Sequence, residues 1–178
     1  GPTPPDSLQT TIGRSRVMPG RQFLRSYLSS TPKIQGCFGV FDRNYLVDIG
    51  GSLQLGTGFG PYSDVRLAIL AGLLNDVNYI DKKLIFNRTH RGSISISSPD
   101  FDAYDTAQND LIVESINVFN DGRLIDDFDL NLKQLLWRFL DEYHVVMARS
   151  GKLDLLKLYE HLTFLLRYSG FLKGGRIM

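Results

Sequence analysis

The chain has 178 residues, 43% hydrophobic and 22% charged, with a formal net charge of +1, the make-up of one globular domain, or one domain and a tail, with a sizeable core. A single cysteine, Cys37, excludes an internal disulfide framework and points to a reducing compartment. No apolar run reaches the length needed to cross a bilayer and no signal peptide heads the chain, while Gly1-Pro2 has the form of a protease scar, so the natural N-terminus is expected to be missing.

In chain order, residues 1–20 carry proline and glycine punctuation, several Ser and Thr, and little apolar periodicity, and are expected to form a flexible basic arm. Residues 21–178 are expected to form a single α+β core domain. Phe23, Leu24, Tyr27 and Leu28 fall at helical spacing with Arg21 and Arg25 on the other side, which predicts a short amphipathic helix. Ile34 to Phe41 and Tyr45 to Ile49 read as strands around the polar turn Asp42-Arg43-Asn44. Ser52 to Leu55 alternates as a strand with one buried face, and Gly56, Gly58, Gly60 and Pro61 then reverse the chain. Ser63 and Asp64 suit a helix start, and apolar residues from Val65 to Val77 cover most of the circumference, so this central helix must be buried on several sides.

Lys83 to Phe86 and Ser93 to Ser97 look like further strands, and Ser98 to Asn109 like a surface loop. Leu111 to Phe119 and Leu124 to Phe128 flank Asn120-Asp121-Gly122, a hairpin signal. Leu132 to Met147 is helical by its three- and four-residue steps, with Asp129 or Asn131 as cap; Ser150-Gly151 breaks the run. Leu155 to Leu166 continues as a second helix, closing an expected antiparallel hairpin, and Gly170 is expected to end it. The fold expected is a mixed or antiparallel sheet of about six strands packed by the central helix and a C-terminal helical hairpin.

The small net charge hides a segregation. From Asp6 to Lys33 the chain is basic, through Arg14, Arg16, Arg21 and Arg25 above all. From Asp100 to Asp129 it is acidic against Arg123 alone, and afterwards the sign reverses again. Opposite patches favour head-to-tail contact between copies, and a basic face can meet acidic lipid or nucleic acid; solvated charge without a partner is the plainer account. Arg14, Arg16, Arg21 and Arg25 are the candidates for membrane or nucleocapsid contact, and Asp126, Asp127 and Asp129 for receiving a neighbour's basic surface.

No catalytic signature is legible. The glycine crossing resembles a phosphate loop, but no Walker-type Lys or Thr closes it. His90, His144 and His161 are not spaced as zinc ligands, and Cys37 sits in an expected strand as an inert thiol. Glu114, Asp126, Asp127 and Asp129 have the oxygen chemistry for Mg²⁺ and phosphodiester hydrolysis, yet no lysine stands where such nucleases need one. Neither a cofactor nor a resident metal is expected, and the chain reads as a non-enzyme; a protein-binding adaptor and, behind it, a Mg²⁺-dependent nuclease are the alternatives.

The run GFGPYSDVRLAILAGLLNDVNYID, entered from Ser52-Leu53-Gln54-Leu55, is similar to the strand, aromatic turn and long helix of rhabdovirus matrix proteins, with Tyr62-Ser63-Asp64-Val65 as the best part. The basic, proline-containing arm ahead of a compact core also resembles that family. The family's proline-tyrosine late motif is absent, with only Pro4-Pro5 near its place, and Leu132 to Tyr168 resembles the same family helix in a second register. The resemblance implies a structural protein that self-assembles, contacts the inner face of an anionic membrane and condenses or tethers the nucleocapsid in virion assembly and budding. It implies a place in the virion under the envelope and in the host cytoplasm at the inner membrane face, with host factors and a nuclear visit left open.

Overall fold

A computed structural model of the chain describes residues 14–29, 39–51, 62–81, 101–150 and 155–173. Among them the architecture is mostly helical, with one antiparallel pair of strands, so the expected α+β domain built on about six strands is corrected. The elements are β1 (Arg14–Met18), α1 (Gly20–Leu28), α2 (Arg43–Asp48), α3 (Ser63–Leu70) running into a 3-10 turn (Ala71–Leu73), and β2 (Val77–Asp81). There follow α4 (Phe101–Phe119), a 3-10 turn (Ile125–Asp127), α5 (Phe128–Ser150), α6 (Leu155–Arg167) and the short α7 (Ser169–Leu172). The expected strands at Ser52–Leu55, Lys83–Phe86 and Ser93–Ser97, the glycine crossing and most of Ile34–Phe41 lie outside the described residues.

Two expected strands are helices for identifiable reasons. Leu111 to Phe119 is the second half of α4, whose buried residues Ala107, Leu111, Ile112, Ser115, Val118 and Phe119 recur at three- and four-residue steps. As a strand the segment would send Leu111 and Ile112 to opposite faces, whereas a helix puts both on the core. Short windows of β-branched residues suggest strand, and the longer periodicity overrides them. Tyr45 to Ile49 falls largely in α2, because Asp42 acts as an N-cap and not as a turn residue: its Oδ1 accepts from the N–H groups of Asn44 at 2.9 Å and Tyr45 at 3.0 Å. Asn120-Asp121-Gly122 joins two helical segments instead of closing a hairpin, Asp121 Oδ1 accepting from the Arg123 N–H at 2.9 Å.

The central helix is buried all round as expected, Val65 to Leu70 being inaccessible without a gap. It stops at Leu70, however, and Val77 belongs to β2. Its N-cap position falls on Tyr62, not Ser63, in the left-handed region at φ 68°. That costs a non-glycine residue roughly 1 kcal/mol. The Tyr62 ring offsets this by meeting Phe139 edge-on at 5.2 Å and Tyr104 at 5.8 Å between centroids.

Residues 14–18, expected within the arm, form β1 and pair with β2 from Arg14↔Asp81 to Met18↔Val77. Alternation turns Met18 and Val77 towards the core and leaves Val17 and Ile80 exposed on the other side of the ribbon. The core itself is shared by Phe23, Leu24, Tyr27 and Leu28 of α1, the apolar residues of α3, and the inward faces of α4 and α5. Phe164, Tyr168 and Leu172 lay the C-terminal helices on it.

The seating of α1 depends on two glycines. Gly20 donates its N–H to Leu74 O at 3.1 Å, and a Cβ there would strike that oxygen and come within 2.6 Å of Ala71 O and 2.8 Å of Gly72 O. Gly72 lies against the Leu24 side chain. Gly20→Ala is therefore expected to cost about 2 kcal/mol or more, since backbone oxygens cannot step aside. Gly122→Ala, with nothing near its Cβ, should change stability by less than about 0.5 kcal/mol. Denaturant midpoints check this; equal effects at both sites would remove the close-approach account.

Candidate functional site

A cluster of four ionisable groups, Arg21, Arg25, Asp126 and Asp127, forms where α1 meets the start of α5. Arg21 and Arg25 are four residues apart, which sets both guanidinium groups on one side of α1 while Phe23, Leu24, Tyr27 and Leu28 enter the core. Leu124, fully buried, anchors the 3-10 turn that carries Asp126 and Asp127 into α5. Asp127 is only 3% exposed; its Oδ2 accepts from Arg21 Nε and its Oδ1 from Arg25 Nη2. Arg21 Nη1 also reaches Asp126 Oδ2 at 3.3 Å, at the solvent edge. The hydrogen bond from Arg21 above all, with that from Arg25 and the charges of both, holds the Asp127 carboxyl below the usual aspartate range against the opposing effect of burial.

Asp127, just ahead of α5, is in line with a stripe on that helix formed by Asn131, Gln134 and Arg138, at steps of four, three and four residues. Arg138 lies over the Tyr27 ring at 4.5 Å, so this side of the helix faces α1. Asn131, expected as a cap, is instead completely buried inside α5, and neither its Oδ1 nor its Nδ2 has a partner among the described residues. Gln134 Oε1 and Trp137 Nε1 are likewise unpaired there.

Two further arginines act as internal clamps. Arg66, 5% exposed, donates through Nε to both oxygens of Glu114 at 2.8 Å, and through Nη1 and Nη2 to Gly51 O at 3.1 Å and Ile49 O at 3.0 Å. It thereby ties α3, α4 and the C-terminal carbonyls of α2 together. Arg123 forks onto Asp121 at 2.7 and 2.8 Å and donates to Leu73 O at 2.7 Å. That ion pair pushes the Asp121 carboxyl well below its usual range. A lone arginine inside the apolar run Val65 to Leu70 was the one sequence sign that a paired, buried cation lay there.

The structure thus brings together Arg21, Arg25, Asp126 and Asp127, which sequence reading had assigned to two separate partner surfaces, and joins them within one subunit. Arg14 and Arg16 stand apart on β1, with Arg16 exposed. Asp129 is exposed in the first turn of α5, without an ion-pair partner among the described residues. Glu114 is held by Arg66 and Asp127 by α1, so the four carboxylates considered for Mg²⁺ do not converge; among the described residues no three His, Cys, Asp or Glu are grouped to hold a metal. Cys37 and His90 lie outside the described residues, and His144 and His161 sit within α5 and α6. Nor, among the described residues, is any helix long and apolar enough to cross a membrane.

Among the described residues, exposed apolar side chains include Val17 with Ile80 on the ribbon, and Tyr159, Leu162 and Leu166 along α6. Compared with protein-family models, curated proteins and solved structures, the chain matches none.

The ionic joint has a defined pH dependence. A carboxyl whose folded pKa lies below its unfolded value, about 3.9, contributes its full stabilisation above that value and loses it as pH falls through the folded one. Asp127→Asn is expected to lower the melting temperature at pH 7 by roughly 3–6 °C. The gap to the unaltered chain should narrow on acidification below about pH 4. Thermal melts of both proteins across that range test it; a gap that stays constant would mean that charge on Asp127 is irrelevant.

Proposed function

We propose that the chain is a non-enzymatic assembly protein of the viral-matrix kind, which associates with copies of itself, lies against the inner face of an anionic membrane and tethers a nucleocapsid there. The class comes from the resemblance around Tyr62-Ser63-Asp64-Val65; the helical architecture lends that resemblance no support, since the sheet it implies is not found among the described residues. What supports the mode of action is the ribbon. Val17 is 66% and Ile80 46% exposed on one face, and Arg14 and Arg16 alternate to the opposite face of the same strand. Exposed apolar side chains that can enter the headgroup region, with cations on the same strand, supply the chemistry of peripheral membrane contact. The arginines of α1 are bound to Asp127, and the lipid contact in this reading is assigned to Arg14 and Arg16 because they belong to the ribbon strand that carries Val17.

Co-sedimentation with vesicles containing about one third phosphatidylserine tests this, run at about 0.05 and 0.2 M salt. The chain should pellet with anionic but not neutral vesicles, and more at low salt. Arg14→Glu with Arg16→Glu should weaken binding about tenfold or more, and Val17→Asp should weaken it at either salt. Undiminished binding by both variants would remove the ribbon from the mechanism; no binding by the unaltered chain would end the membrane reading.

A further inference from the structure

We propose that Tyr159, Leu162 and Leu166 of α6 dock against the same three residues of a second copy, as a two-fold helix-to-helix contact; this rests on the self-assembly reading and gives it an interface. The helix is apolar on opposite sides. Phe164, with Tyr168 just beyond, packs on the chain's own core, while Tyr159, Leu162 and Leu166 are 68%, 48% and 76% exposed. An apolar row left in water on a helix already packed on its other side is surface available to a partner.

Spacing identifies the kind of partner. Positions 159, 162 and 166 follow the three-then-four step of a heptad seam, and Leu155 occupies the preceding position of the same register. That three-then-four spacing suits another helix. Charge argues the same way. The flanking positions 156, 158, 163 and 165 are Leu, Leu, Thr and Leu, so two identical faces meet without like charges opposed, and an anionic surface finds no cation along the seam. An identical copy is therefore the occupant that the face fits without alteration.

Area sets the strength. The three side chains expose on the order of 350 Å² per copy, so a pair of them falls short of the roughly 1,200 Å² of a standard stable interface and approaches it only with the flanking residues. The contact should be weak, with a dissociation constant of about 10–100 µM, and insensitive to salt because no ion pair holds it.

Sedimentation velocity on the full chain, from about 5 to 300 µM at low and high salt, reads this directly. A concentration-dependent dimer is expected at both salts. Leu162→Ala with Leu166→Ala should raise its dissociation constant about tenfold or more, with the circular dichroism unchanged, because alanine is the best helix former and both sites are exposed. Val113→Ala, on the exposed side of α4, should leave the dimer intact. A chain monomeric throughout, or a dimer indifferent to the double variant, overturns the proposal. The vesicle assay separates the two readings. Loss of vesicle binding by the double variant of a monomeric chain would make the α6 face a lipid contact and sink the dimer alone, whereas a seam-dependent dimer that ignores vesicles would uphold the interface and end the membrane reading.

Discussion

A carboxylate almost wholly withdrawn from water is tolerable only if its charge is answered on the spot, and Asp127 is answered twice, once on each oxygen, by arginines one helical turn apart on α1. Leaving that carboxylate uncompensated costs far more than the pair itself contributes, so the joint works mainly by excluding other placements of α1. A second tie stands at the N-terminal end of α1, where Gly20 lies against the carbonyls that close the 3-10 turn after α3. With its end and one side both assigned, α1 has one seat, and Leu24, Tyr27 and Leu28 are carried into the core from there. The N-terminal helix thereby becomes part of the same core as α5, a hundred residues later in the chain.

Arg66 and Arg123 repeat the device, each bridging segments about fifty residues apart. Arginine rather than lysine suits these places because a planar fork can engage a carboxylate and a carbonyl together without losing its charge. Most consequential is Arg66. Helix α2 buries no residue of its own, so packing alone would not hold it; the guanidinium collects Ile49 O and Gly51 O at its C-terminal end, where helix carbonyls lack partners and the dipole favours a cation. Tyr45 adds a hydroxyl donated to Leu70 O at 2.8 Å, and its burial raises the phenol pKa, keeping it the donor.

What could be read from the sequence was the helical part with long periodicity. The α1 stripe, the all-round burial of α3 and the runs that became α5 and α6 are each visible as three- and four-residue steps, and each is helical in the structure. The sheet was misjudged because windows such as Leu111 to Phe119 combine β-branched residues with a period that only the whole of α4 reveals, residues 104–110 burying only Ala107 and Gln108. Asp42 and Asn120-Asp121-Gly122 misled for another reason: one local hydrogen-bonding habit of Asp and Asn serves a turn and a helix boundary alike. The ionic joint was legible as composition but not as geometry. Arg21, Arg25, Asp126 and Asp127 stood out as charges, and nothing in their spacing tells whether a basic run and an acidic run more than a hundred residues apart face each other or face two different partners.

That internal pairing changes what the proposed assembly must rely on. With α1 and the α5 start paired within the subunit, Arg21, Arg25 and Asp127 no longer serve a head-to-tail contact, and the adhesive surfaces proposed among the described residues are small: a two-stranded ribbon and one helical seam. Neither approaches the area of a stable interface by itself. The two proposed contacts use different elements, β1 with β2 for the membrane and α6 for the neighbour, so one does not consume the other. A chain held at a surface meets its neighbours at a high effective concentration, and a dimer presents two ribbons to the lipid, so each weak contact strengthens the other by geometric proximity alone. On the proposed reading, weakness in solution is an advantage, because subunits that paired tightly before reaching the membrane would assemble in the wrong place.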